Sequence, residues 1–160
     1  MQSAAVVRRA ILADAQSVCV VVRRSIAELC VDDHQGDAAT LSAWLANKTE
    51  ENVAQWITSR KNVALVAELD AAIAGFALMN DLGEILLLYV SPDYRLRAVS
   101  TELLRNIEQE ANALGIRRLT LESTLTAERF YRARGFVTAG QPQEGFGVTV
   151  CVPLATRIAP

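Results

Sequence analysis

At 160 residues, with 51% hydrophobic and 21% charged residues, the chain suits one domain with a real core and has an ordinary globular composition. A formal net charge of −2 and a pI of about 5.5 exclude a global basic field for nucleic acid, so any basic group that matters must act locally. Cys19, Cys30 and Cys151 lie far apart without CxxC spacing, which fits reduced thiols of a cytoplasmic protein better than disulfides or zinc ligands.

The amino end, "MQSAAVVRRAI", reads as a first strand, with neither a signal peptide nor a membrane span expected. Asp14 is a candidate N-cap for a helix through "AQSVCVVVRRSIAELC", whose face carries Val18, Val21, Val22, Ser25 and Leu29. "VDDHQGD" reads as a loop. Two short helical patterns follow, one with Leu41, Trp44 and Leu45, the other opening behind Thr49 with Val53, Trp56 and Ile57. Both tryptophans sit on apolar faces and are expected in the core.

"NVALVAEL" and "AIAGFALMN" read as strands joined by "DA", a tight hairpin without the usual glycine. "EILLLYV" is a near-continuous apolar run, as in a strand covered on both faces. From Ala98 to Leu114, Val99, Leu103, Leu104, Ile107 and Ala111 recur at helical spacing, and Gly115 ends the run. "IRRLTLES" is the next strand, and "TAERFYRARG" a short helix with Thr126 as candidate N-cap. "FVTAG" and "GVTVCVPL" close the chain as strands around a glycine-containing loop. The order is β-α-α-α-β-β-β-α-β-α-β-β. It predicts an α/β (mixed α+β) fold, a mostly antiparallel twisted sheet of about seven strands with helices on both faces, in a single domain over 1–160. The strands flanking the crossover helix are expected to run parallel.

The turn "SPDYRLRAVSTELL" joins a strand to a helix and holds two arginines but no glycine. Helix-mouth N–H groups with the positive dipole end attract phosphates. Alanine and serine are small enough to serve there if the inward amides belong to the first helical turn, in which case left-handed backbone geometry is not needed.

Two segments, "EILLLYVSPDYRLRAVSTELLRNIEQEANALGI" and "LTLESTLTAERFYRARGFV", resemble the GNAT-type N-acetyltransferase superfamily, and the likeness extends over essentially the whole chain. The second is the more specific, with Phe-Tyr and Gly-Phe at family spacing after a strand and crossover helix. The resemblance implies acetyl-CoA as co-substrate, no metal, and transfer of an acetyl group to a primary amine by direct attack in a ternary complex. A non-catalytic coenzyme A-binding or interaction module is the alternative. By the same resemblance Glu84 matches a general base and Tyr131 the acid near the coenzyme A sulfur. Leu88, Tyr89 and Val90 would hold the pantetheine arm through their main chain, with Ser123 and Thr124 opposite. Arg95, Leu96, Arg97, Ala98, Val99, Ser100 and Thr101 would form the diphosphate loop; Ala98, Ser100 and Leu96 stand where the family often has glycine. Asp33 and His34 fall in the segment that often lines the acceptor pocket, where acidic groups suit a cationic amine. A metal reading of Asp32, Asp33 and His34 is set aside, because consecutive residues rarely converge on one ion. The implied acceptor is a small molecule or peptide amine, with no nucleic-acid or membrane partner; a homodimer through the final strands is left open.

Overall fold

The computed structural model describes residues 3–160. Strands β1 (Val6–Arg9), β2 (Asn62–Leu69), β3 (Ala72–Asn80) and β4 (Ile85–Val90) form one antiparallel sheet in that order. A second sheet runs β5 (Arg118–Ser123), β8 (Val150–Arg157), β6 (Val137–Thr138), and β7 (Gln143–Glu144) pairs with β8 as a hairpin. The mixed, mostly antiparallel architecture expected from the sequence is therefore present, with β7 as an additional short strand.

Helices cover both faces. On one, α1 (Ala15–Leu29), α3 (Ala38–Leu45) and α4 (Glu50–Thr58) pack Val18, Val22, Ile26, Trp44 and Val53 on Ala64, Val66, Phe76 and Leu78. On the other, α5 (Val99–Ala113) packs on Leu65, Ala67, Ala77 and Met79 in the cluster that also holds Tyr131 and Phe136. Alternate residues of β2 and β3 thus serve two cores, which explains their unbroken apolar runs. All five apolar positions read for α5 are buried. Its end is closed by Gly115 in the left-handed region, with the Ile116 N–H donating to Ala111 O at 2.9 Å. Among the described residues no helix is long and apolar enough to cross a membrane.

Several local readings are corrected. The "VDDH" stretch is a helical turn, α2 (Val31–His34), rather than loop. The hairpin residues Asp70 and Ala71 both take positive φ (52° and 62°), the type I′ geometry that matches strand twist, without glycine. The last helix, α6 (Leu125–Arg132), starts behind Thr124, whose hydroxyl accepts from the Ala127 N–H at 3.1 Å; Thr124, not Thr126, is the N-cap. Thr126 instead turns its hydroxyl to Asp33.

The parallel pair β4–β5 is the feature that makes a site. The two strands meet through one bridge, Glu84 with Thr120, next to a Thr120 N–H to Gly83 O bond of 3.0 Å. Gly83 permits that approach: its φ is +85°, and a Cβ there would stand 2.6 Å from Arg118 O. Beyond the bridge the strands part into separate sheets. In β4 the register against β3 shifts by one residue, leaving Leu86 as the extra residue of a bulge.

Candidate active site

The parted edges of β4 and β5 border a cleft lined by Leu88 and Tyr89 on one side, Ser123 and Thr124 on the other, and Tyr131 from α6. Val90 continues the row toward the mouth of α5. Main-chain groups on facing strand edges that have lost their ladder partners are the natural binders of an extended amide-bearing arm. Of the residues assigned to that arm from sequence, Leu88, Tyr89, Ser123 and Thr124 are brought together in one groove, and Val90 borders the adjoining concavity.

At the mouth of α5 the helical ladder begins with the Glu102 N–H donating to Ala98 O at 3.1 Å, so the N–H groups of Val99, Ser100 and Thr101 precede it, and Ala98 supplies no side-chain cap. Arg95, Leu96 and Ala98 border the same concavity. Arg97 instead donates through Nη2 to Ser3 O at 3.3 Å. The expected right-handed loop is not what forms: Leu96 (φ 60°) and Ala98 (φ 59°) both take left-handed geometry, and Leu96 is 98% exposed. The chain keeps the shape that glycine favours and bears the steric cost, about 1–2 kcal/mol per residue. Replacing Ala98 with glycine relieves that cost against a smaller loss of about 0.5–1 kcal/mol in chain entropy. Ala98→Gly is therefore expected to raise the melting temperature by about 1–3 °C and to keep or improve acetyl-CoA affinity. A tenfold weaker affinity by calorimetry would show that the Cβ of Ala98 shapes the loop.

Arg134, which the sequence reading passed over, joins this mouth. Its guanidinium lies 3.8 Å from the Phe130 ring centre, and Nη2 donates to Thr101 Oγ1 at 2.6 Å. A basic residue just before the Gly-Phe pair was the only local sign; its reach to the first turn of α5 depends on tertiary packing.

Tyr131 is 6% exposed and stands edge-on to Phe130 and Phe136, each ring centre 5.3 Å away. Burial pushes its pKa up, so the phenol keeps its proton at neutral pH. The position of α6 is set by Asp33. Its Oδ1 accepts from the Leu125 N–H at 2.6 Å, and its Oδ2 from the Thr126 N–H at 3.3 Å and from the Thr126 hydroxyl. A buried carboxylate on the opening turn of a helix satisfies free N–H groups and favours the dipole. The acceptor-binding expectation for His34 is corrected, while Asp33 takes a second role as the anchor of α6. Asp33 borders the neighbouring cavity, but both oxygens are engaged by α6. His34 is buried, with Nε2–H shared between Ile26 O at 3.1 Å and Ala27 O at 3.2 Å, and Nδ1 accepting from the Gly36 N–H at 3.0 Å. His34 has no ring nitrogen left for a ligand, and Asp33 is committed first to holding the start of α6.

A cavity of about 190 Å³ adjoins the cleft, sharing Tyr89, Glu122 and Thr124 with it. Glu84 borders it, exposed, with Oε1 accepting from Asn80 Nδ2 at 3.1 Å. Glu122, also exposed, lies across the opening on β5. The far wall is Trp44, Lys48, Phe146, Thr149 and Cys151. Trp44 is core, as expected, yet one face stacks on Phe146 at 6.1 Å. That contact brings the β7–β8 hairpin tip over the cavity, where the Val148 N–H also donates to Thr40 Oγ1 at 3.4 Å. Among the described residues no group of three or more His, Cys, Asp or Glu could hold a metal.

The model of the acetyltransferase (GNAT) domain matches residues 30–153. A crystal structure of a GCN5-related N-acetyltransferase from Rhodopseudomonas palustris, also described as an aminotransferase of class II, is 26% identical and superposes with a TM-score of 0.87 over 99% of this chain and 98% of that one. The PaiA N-acetyltransferase from Thermoplasma acidophilum, solved in complex with coenzyme A, is 18% identical at a TM-score of 0.80 over 98% and 100% of the chains, a likeness of fold. Over 80 residues the chain is 39% identical to an amino-acid acetyltransferase of Azotobacter vinelandii. That match takes in 47% of this chain and only 18% of that longer protein. With a family model spanning most of its length and the helix mouth, parted strands and tyrosine-bearing helix in place, the chain belongs to the GNAT acetyltransferase domain family.

Proposed function

We propose that the protein is an acetyl-CoA-dependent N-acetyltransferase, with residues 1–160 acting as one domain, that passes the acetyl group directly to a primary amine while both substrates are bound. The observation that carries this reading is continuity: the cleft between β4 and β5 shares Tyr89, Glu122 and Thr124 with the cavity beyond it, and the open mouth of α5 adjoins the cleft through chain neighbours, Val90 next to Tyr89 and Phe130 next to Tyr131. The residues present fit coenzyme A, since unladdered N–H groups of Val99, Ser100 and Thr101 with Arg95 and Arg134 form an anion cradle at one end of a groove edged by free main chain. When bound, acetyl-CoA supplies an acetyl group activated as a thioester. Leu88, Tyr89 and Val90, with Ser123 and Thr124 opposite, hold and orient the arm. Glu84, steadied by Asn80, takes the proton of the amine, and Tyr131 returns a proton to the departing thiolate.

Direct transfer is favoured by the state of the thiols. Cys30 is pushed up to about 12 by burial, and Cys151 is raised by burial and by Glu122 and Asp33, so neither is a ready thiolate nucleophile. Calorimetry with acetyl-CoA and thiol release across an amine panel test the reading. Binding with acceptor-dependent thiol release is expected; no binding at millimolar ligand ends it, and binding without release leaves a coenzyme A-holding module. Glu84→Gln should lower kcat/KM at neutral pH about 10–100-fold without weakening acetyl-CoA binding. An unchanged rate would remove Glu84 as the base.

A further inference from the structure

The lining of the cavity holds a buried cation that the proposed chemistry does not use. Lys48, in the turn after α3, is 5% exposed. Its Nζ donates to Asn47 Oδ1 at 2.5 Å and Trp44 O at 3.4 Å and lies 5.8 Å from the Phe146 ring centre, all neutral partners. Burial pushes the ammonium down to about 8, with no carboxylate contributing. A buried ammonium without an anion is costly, and the cost is relieved when an anion arrives.

We infer that the acceptor is an amine that also bears a carboxylate, an amino acid, with the carboxylate held by the Lys48 ammonium and the amine turned toward Glu84 and Glu122. This rests on the acetyl-transfer reading above. A monoanion suits the site better than a phosphate, because one cation stands against three bordering carboxylates, Asp33, Glu84 and Glu122. The lining thus offers a cation to a carboxylate and, in Glu84 and Glu122, carboxylates to an ammonium, the two charges an amino acid carries. The lid formed by Phe146 on Trp44 keeps water from the cation, which strengthens its pull on a carboxylate.

Thiol release is measured with free amino acids and with their carboxamides, which keep the amine and lose the charge. The best free acid is expected to exceed its carboxamide at least tenfold in kcat/KM. Lys48→Met should bring that preference to within about threefold, and Lys48→Arg, which keeps the charge, should retain more of it. A readout without turnover accompanies this: with coenzyme A present, the N-acetyl derivative of the best acid should raise the melting temperature of the wild type and not of Lys48→Met. Calorimetry with acetyl-CoA reports whether each variant is folded; should Lys48→Met fail to fold, Lys48→Arg and the wild-type comparison decide. Equal rates for acid and carboxamide, or an equal fall for both in the variants, overturns the inference while leaving acetyl transfer intact. Absence of transfer to every amine in the panel overturns the enzymatic reading and the inference with it.

Discussion

Tyr131→Phe is expected to lower turnover about a hundredfold while acetyl-CoA affinity stays within about threefold of wild type. The substitution removes one oxygen and keeps the ring, which packs edge-on to Phe130 and Phe136, so the core should be undisturbed. What is lost is the hydroxyl, at the cleft between the parted strands, that we propose as the proton donor. Because burial raises the phenol's pKa, the protonated form persists at pH values where a free tyrosine ionises. The sign follows: the wild type should not lose activity through Tyr131 as pH rises toward 10, since the acid form is the one that works. Stopped-time thiol release and calorimetry measure the two quantities separately. Turnover unchanged in the phenylalanine variant would make Tyr131 a core aromatic only.

Asp33→Ala is expected to destabilise the fold by about 3 kcal/mol and to lower the melting temperature by about 6–12 °C. The carboxylate is 1% exposed and accepts from two main-chain N–H groups and one hydroxyl at the start of α6. Truncation leaves those donors without an acceptor in a dry site and removes a negative charge from the positive end of the helix. Asp33→Asn keeps an acceptor oxygen and should cost less than half as much. Turnover should fall as well, because α6 carries Tyr131 and its register is held by this contact. The two readings of Asp33 separate cleanly by thermal melting. A residue binding the amine would raise the acceptor KM with little change in melting temperature, and that result would restore the sequence-based expectation.

Local pattern carried a large part of this fold. Helix α5 is legible because Val99, Leu103, Leu104, Ile107 and Ala111 repeat with the helical period, a property of neighbours in the chain. The bounds of β2 and β3 are legible for the same reason, as apolar runs punctuated by turns. The Phe-Tyr and Gly-Phe spacing fixed attention on α6, and the small residues after Arg95 on the mouth of α5. What was misread locally was the backbone at Leu96 and Ala98: residue type argued against positive φ, but closure of the strand-to-helix turn imposes it.

The sequence by itself determined the order of elements, the amphipathic faces, and the family to which they belong, because periodicity and short motifs are written in adjacent residues. Tertiary structure alone decided how the acceptor side is built. Asp33 meets α6 from 92 residues away; Phe146 folds over Trp44, and Lys48 and Thr149 arrive at one wall from different elements. Each of these rests on burial and on a partner distant in the chain, and neither can be read from a residue's neighbours. The same aspartate that suits an amine in an open loop becomes a helix cap once a helix end is packed against it.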